Sequence, residues 1–176
     1  TEIYTLSLHD ALSILKEYNE WPFDIERVYV DGNNILFVED GIRKLAISNR
    51  KREAQKLLSD LCFQFTSSIG TFDIILVFDY TTLTFNEKIS THKRLVNFSV
   101  VSAGPNFKSS DDALVHWAES LGGGVKSCLF VTADRELQMR LMRVGVEEIM
   151  RPKKWFSLIK SILGEASYRS IVNSKH

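Results

Sequence analysis

The chain has 176 residues, 44% of them hydrophobic and 25% charged, and is therefore long enough for one compact domain with a real core. Lysine and arginine total 22 against 22 aspartate and glutamate, so the formal net charge is zero. This excludes the overall positive charge that would indicate a nucleic-acid-binding protein. No apolar run approaches the roughly 20 residues needed to cross a bilayer, which argues against a membrane protein.

The two cysteines, Cys62 and Cys128, indicate a reducing compartment. They lie far apart in apolar stretches, without the paired spacing of a zinc site or the density of a disulfide-rich secreted protein. We therefore expect an intracellular protein.

The first segment is set apart from the rest of the chain. Residues 1–14 read TEIYTLSLHDALSI and closely resemble the translation of a sequencing-library adapter. The alternative is an amphipathic helix, because Leu8, Leu12 and Leu15 share one face at helical spacing. We leave the N-terminal segment 1–23 out of the functional domain. If it is an artefact, a targeting peptide could have been lost with the true N-terminus.

From about residue 24 the chain alternates between short β-branched runs and segments of helical periodicity. Strands are predicted at Val28–Val30, Ile74–Phe78, Val96–Val101 and Cys128–Thr132. Helices are predicted at about Arg50–Phe65, Ser110–Leu121, Arg135–Val144 and Lys153–Leu163. This alternation is typical of an α/β domain with a largely parallel sheet, flanked by helices and joined by right-handed crossovers. The domain is predicted to span 24–164, and the polar tail 165–176 is predicted to fray into disorder.

Acidic residues follow each predicted strand. Asp31 ends the first strand, Asp79 the second, and Asp134 comes just after the fourth, while Asp111 and Asp112 open the helix after the third. In an open α/β sheet the carboxyl ends of the strands form the edge where ligands bind. Carboxylates gathered there repel one another unless positive charge lies between them. Their oxygens suit Mg²⁺ or Mn²⁺, which keep positions open for water and phosphate oxygens.

Each acid alone also has an ordinary structural interpretation. The SSDD sequence at 109–112 is a good helix start, and Asp134 is a good N-cap for the following helix. Asp79 reads as a loop residue, and the DGNN sequence at 31–34 reads as a turn. The conjunction of all of them at one sheet edge is what favours a site.

Four segments together carry a resemblance to a known family. VDGNNILF, LVFDY, SSDDALVHWA and LFVTADRELQMRLMRVG, in this order, resemble the NYN branch of the PIN-like nuclease superfamily over about Arg27 to Trp155. The resemblance implies a Rossmann-like three-layer sandwich with a mainly parallel central sheet, PIN-like in type. It further implies a metal-dependent ribonuclease that uses Mg²⁺ or Mn²⁺ and leaves a 5′-phosphate and a 3′-hydroxyl.

The resemblance also implies roles for single residues. The implied metal ligands are Asp31, Asp112 and Asp134. Asp111 and Asp79 are implied as additional or outer acids. Asn34 would hydrogen-bond the cluster or a substrate phosphate, and Thr132 could orient Asp134 through its hydroxyl.

Substrate contacts are expected from local basic residues, since phosphate attraction dominates affinity for nucleic acids. The candidates are Arg135, beside Asp134, then Lys108, and Arg50 with its basic neighbours. For Arg50 a solvated helix start is the alternative. The expected partner is RNA, and no membrane contact is expected. A homodimer is a possible oligomeric state.

Two other functions stay open at this point. The first is a catalytically weak RNA-binding or scaffold module with the same fold, and the second is a structure-specific DNA nuclease, separable by its dependence on the 2′-hydroxyl. The stretch YTTLTFNEKISTHKRL, residues 80–95, carries no obvious catalytic group and is predicted to form a hairpin or a flap over the site.

Overall fold

A computed structural model describes residues 24–70, 72–79 and 97–174 of the chain. The strands are β1 (Arg27–Asp31), β2 (Asp73–Phe78), β3 (Phe98–Ser102), β4 (Cys128–Val131) and β5 (Glu148–Met150). The helices are α1 (Gly32–Ile35), α2 (Asp40–Ile47), α3 (Lys51–Ile69), α4 (Ser110–Leu121), α5 (Arg135–Arg143), α6 (Pro152–Leu163) and α7 (Glu165–Val172), with a 3₁₀ helix at Gly122–Ser127.

The five strands form one parallel sheet in the order β3-β2-β1-β4-β5. The chain builds outward from β1 to β3 on one side, then returns to add β4 and β5 on the other side. The direction of winding therefore reverses between β1 and β4, and a crevice for ligands opens at such a point beyond the carboxyl ends of the strands. This topology confirms the predicted α/β fold with a parallel central sheet.

Helices cover both faces of the sheet, which explains why the strands are apolar on both sides. On β1, Val28 and Val30 belong to the larger core and Tyr29 to the smaller one. In the larger core Trp155 is fully buried and its ring packs edge-on against Phe65, with 5.1 Å between centroids. Trp155 is therefore a core residue.

The predicted disorder of the C-terminal tail is wrong for Glu165–Val172, which form α7. Tyr168 is buried and its hydroxyl donates to Glu39 Oε2 over 2.7 Å. Val172 packs directly against Gly41, where a Cβ atom would collide with the Val172 side chain. Because both partners lie about 130 residues earlier, the composition of the tail does not reveal them.

Three further elements differ from prediction. Strand β5 has only three residues and α2 only eight, too short for their patterns to stand out. Helix α3 continues to Ile69 and ends at Gly70, whose φ of 67° is the left-handed conformation that favours glycine after a helix. The predicted N-terminal segment 1–23, Val96 and the predicted flap 80–95 lie outside the described residues.

Across 24–70, 72–79 and 97–174, no helix combines the length and the apolar character needed to span a bilayer.

Candidate active site

Asp31 occupies the centre of the ligand-binding edge. It is the last residue of the central strand β1, beside the crevice between β1 and β4, and only 2% of its surface is exposed. A carboxylate is rarely buried to this extent unless it is paired or hydrogen-bonded. The contacts that hold it therefore define the site.

Two hydroxyl groups hold the Asp31 carboxylate in place. Thr132, just after β4, donates from Oγ1 to Asp31 Oδ2 over 2.9 Å. Ser110, the first residue of α4, donates from Oγ to Asp31 Oδ1 over 3.4 Å. The Thr132 hydroxyl in turn accepts the backbone N–H of Asp134 over 3.1 Å, so it links Asp31 and Asp134 rather than orienting the Asp134 side chain.

Burial raises the pKa of Asp31 to about 7, against an ordinary value of 3.8. The hydrogen bond from Thr132 opposes this rise because it stabilises the charged form, and the negative charge of Asp111 adds to the rise. Near neutral pH the Asp31 carboxyl group is therefore harder to ionise than an ordinary aspartate, because burial disfavours its charged form.

This raised pKa predicts that the protein loses stability as pH rises. The unfolded chain releases the Asp31 proton near pH 4 and the native chain near pH 7, so the stabilisation from the bound proton is present at low pH and disappears across that window. Without divalent cations, Asp31→Asn should be more stable than the wild type by about 2–4 kcal/mol above pH 7 and should lose this advantage near pH 4. Urea unfolding at a series of pH values measures this, and an advantage independent of pH would contradict it.

Three other acids are linked to Asp31: Asp111 through its charge, Asp79 through the shared partner Ser110, and Asp134 through the shared partner Thr132. Burial raises the pKa of Asp111, and the charges of Asp134 and Asp79 raise it further. Asp79 Oδ1 accepts the backbone N–H of Ser110 over 2.7 Å, which ties the end of β2 to the start of α4. Asp134 caps α5, since its Oδ1 accepts the N–H groups of Glu136 and Leu137. Hydrogen bonds and electrostatic interactions thus connect Asp31, Asp79, Asp111 and Asp134 at this edge of the sheet.

Asp112 makes different contacts. It is exposed, and its Oδ1 lies 2.7 Å from Arg140 Nη2 of α5, an ion pair that lowers the pKa of Asp112. Neighbouring residues on a helix point about 100° apart, so only one carboxylate of the Asp111–Asp112 pair can face Asp31. Burial is the main cause of the raised pKa of Asp31, and of the two neighbouring acids it is Asp111 whose charge adds to that rise. The resemblance implied the opposite assignment, with Asp112 as ligand and Asp111 as the outer acid.

Asn34 fastens the two sides of the crevice together. Its side-chain Oδ1 accepts the backbone N–H of Ala133 over 2.9 Å, joining α1 to the segment after β4. Its backbone also hydrogen-bonds Asp31 and favours the charged carboxylate. Asn34 therefore supports the site structurally, through the loop and through Asp31.

The predicted basic contacts fall into two groups. Arg135, next to Asp134 at the start of α5, and Lys108, in the loop before α4, are exposed near the acidic cluster in sequence. Arg50 instead pairs with Glu53 and lines a separate cavity of about 820 Å³ bounded by α2, α3, α6 and α7. None of the five acids is among the described residues that line this cavity, so Arg50 is not brought to the carboxylate site.

The carboxylate oxygens are of the kind that bind a divalent cation, but the side chains are not arranged as a ready-made metal site. Within the described ranges, no three His, Cys, Asp or Glu side chains stand together in an arrangement that could hold a metal ion. The implied set of Asp31, Asp112 and Asp134 is therefore not assembled. Mg²⁺ commonly uses only one or two carboxylates and keeps several waters. Asp31 with Asp111 or Asp134 offers such donors, and a cation between them would relieve their repulsion.

Comparison with known proteins identifies the fold. No protein-family model matches the sequence, and no curated protein matches it significantly. The structure is similar to that of Rae1 (YacP) from Bacillus subtilis, with a TM-score of 0.62 and 16% identity over 82% of this chain and 79% of Rae1. A tryptophan-to-leucine variant of Rae1 gives a TM-score of 0.61 and 19% identity over 78% and 77% of the two chains. The two proteins therefore share an α/β fold, which in this chain is built on a parallel five-stranded sheet.

Proposed function

We propose that this chain is a ribonuclease that hydrolyses phosphodiester bonds of RNA with the help of a divalent cation, Mg²⁺ or Mn²⁺. The observation that carries the proposal is the buried Asp31 at the end of the central strand, with Asp79, Asp111 and Asp134 around it. A protein gains no stability from gathering these charges, because burial and mutual repulsion both oppose their ionisation. Such clusters are typical of functional sites.

The fold supports the same proposal. Similarity to Rae1 supports a ribonuclease-like fold. The carboxylates lie at the strand ends beside the β1–β4 crevice, where open α/β sheets bind their ligands. A fold alone does not decide a function, so the proposal depends mainly on the carboxylate site and the fold is consistent with it.

Asp31, with Asp111 or Asp134, would hold the cation. When bound, a divalent cation supplies a water of lowered pKa and positive charge beside the phosphate oxygens. Thr132 and Ser110 fix the direction of the Asp31 carboxylate, and Asn34 fixes the spacing between the two sides of the crevice. Attack of water on phosphorus then breaks the bond to the leaving 3′-oxygen and yields a 5′-phosphate and a 3′-hydroxyl.

The chain itself would bind the phosphate backbone with exposed cations near the acids. Arg135 begins α5 directly after Asp134, and Lys108 precedes α4. Since the formal net charge is zero, only such local contacts can attract the polyanion. Binding should therefore weaken steeply with salt.

An RNA-binding module without cleavage is the second candidate function. The observation that favours it is the lack of a preformed cation cluster among the described residues. In that case the acids would remain as an inherited arrangement, and RNA would bind without being cut.

The test is incubation of a labelled single-stranded RNA with purified protein in Mg²⁺, Mn²⁺ or EDTA, beside a DNA of the same sequence. We expect the RNA to be cut only with cations and to carry 5′-phosphate ends. Ends with a 2′,3′-cyclic phosphate would show attack by the 2′-hydroxyl and overturn the water mechanism. Binding of RNA without cutting would support the module, and preferential cutting of DNA would replace the substrate assignment.

A further inference from the structure

Arg140, which the sequence patterns did not single out, lies beside the acidic cluster. It projects from α5 toward α4, and its Nη2 is 2.7 Å from Asp112 Oδ1. The two side chains are 34% and 52% exposed, and an ion pair in such contact with water contributes little to stability because solvent screens it. Stability of the fold therefore does not account for the pairing of these two residues.

The charge of Arg140 reaches the acids of the site. It lowers the pKa of Asp111, against the effects of burial, Asp134 and Asp79. Arg140 is thus positive charge at the rim of a cluster whose other members repel one another. Its planar guanidinium has five N–H donors, so a carboxylate on one side leaves donors that can reach a phosphate oxygen on the other.

Asp112 is the carboxylate that this guanidinium contacts in the structure. If the carboxylate of Asp112 were removed, the remaining attraction of Arg140 would be toward Asp111. A direct pair with Asp111 would neutralise an acid that is needed at the cluster, and would turn the guanidinium away from an incoming phosphate. The pair with Asp112 prevents this rearrangement.

We propose that Arg140 donates hydrogen bonds to a non-bridging oxygen of the RNA phosphate at the Asp31 cluster, and that Asp112 is a positioning residue for Arg140 rather than a cation ligand. This inference rests on the proposed ribonuclease function. A guanidinium suits the task because it recognises phosphate in a fixed geometry, and because negative charge on the phosphate oxygens grows in the transition state.

A double-mutant cycle tests the proposal through four proteins: the wild type, Asp112→Asn, Arg140→Gln and the double variant. Arg140→Gln should lower kcat/KM about 10- to 100-fold, the range for loss of a hydrogen bond between charged groups. Asp112→Asn should lower it less, and its effect should vanish in the Arg140→Gln background. If Asp112 were a cation ligand, its effect would persist in both backgrounds and the Mg²⁺ concentration for half-maximal rate would rise. That result would overturn the proposal.

Binding of RNA in EDTA gives a readout that does not depend on cleavage. A general charge effect predicts that Asp112→Asn binds RNA more tightly, since it removes a negative charge near a polyanion. The positioning role predicts weaker binding instead, and Arg140→Lys should recover part of the affinity that Arg140→Gln loses. Tighter binding by Asp112→Asn would count against the proposal.

Two controls keep the outcomes distinct. Arg143→Ala removes an exposed arginine three residues further along α5 and should leave RNA affinity and kcat/KM within about twofold of the wild type. Thermal unfolding confirms that each variant is folded. A wild type that neither binds nor cuts RNA refutes the proposed function, and this inference with it. A wild type that cuts RNA while Arg140→Gln equals it refutes this inference alone.

Discussion

Asp31→Asn is expected to lower the rate of RNA cleavage by more than about 100-fold while the protein stays folded. Changing groups that merely support a metal ligand costs about 10- to 100-fold, so a carboxylate that itself holds the cation should cost more. Asparagine has the same size as aspartate, so one of the Thr132 and Ser110 hydroxyl groups can still donate to its amide oxygen while the other rotates to accept from its amide NH2 group. The loss should appear at saturating RNA with either Mg²⁺ or Mn²⁺.

The matched control for Asp31→Asn is Asp73→Asn. Asp73 is the first residue of β2 and pairs in register with Arg27, the first residue of β1. It is therefore a strand carboxylate at the amino ends of the strands, away from the carboxyl ends that form the site. Its replacement should leave the cleavage rate within about twofold. Equal losses in the two variants would show that the effect belongs to the fold, and full activity in Asp31→Asn would remove the centre of the proposed site.

Gly32→Ala is expected to destabilise the protein by about 2–4 kcal/mol and to reduce activity beyond what the loss of folded protein explains. A Cβ atom at Gly32 would lie 2.5 Å from Phe78 Cε1 and 2.7 Å from the backbone oxygen of Val77. The ring could shift, but the Val77 carbonyl belongs to β2, which pairs with β1 at Asp31. The strain is therefore passed to the strand end that carries the Asp31 carboxylate.

Urea unfolding and the cleavage rate per folded molecule measure the two effects of Gly32→Ala. Gly123→Ala is the control, because a Cβ atom there has no neighbour within 4 Å. Phe78→Leu combined with Gly32→Ala should recover only part of the stability, since the contact with the Val77 carbonyl remains. Complete recovery would assign the whole effect to the Phe78 ring and leave the strand end unaffected.

The sheet and its acidic edge could be predicted because their signals are local. The apolar runs around Val30 and Val131 are short and bounded by turn residues, and each is followed by an acid. Parallel strands place those acids together without any knowledge of tertiary contacts. The helix limits at Ser110–Leu121 followed in the same way from the SSDD start, where the Ser109 hydroxyl accepts the N–H of Asp112.

The arrangement within the site could not be predicted in the same way. Whether Asp111 or Asp112 faces Asp31 depends on the rotation of α4 about its axis. Packing against the rest of the protein sets this rotation, and it cannot be read from two adjacent aspartates in the sequence. Arg140 meets Asp112 only through the packing of α5 against α4, and Ser110 looked like a cap rather than a donor to Asp31. Each of these contacts joins residues distant in the chain, so no window of sequence contains both partners.

The long span of these contacts also bears on the order of events during synthesis. Ser110 and Thr132 follow Asp31 by 79 and 101 residues, and β4, which pairs with β1 and directly precedes Thr132, is the fourth strand to be made. Such non-local pairings form slowly because long loops must close first. A nascent chain still attached to the ribosome therefore has no assembled carboxylate site until Asp134 has emerged. Before that point the Asp31 carboxylate lacks the hydrogen bond from Thr132 that fixes its direction.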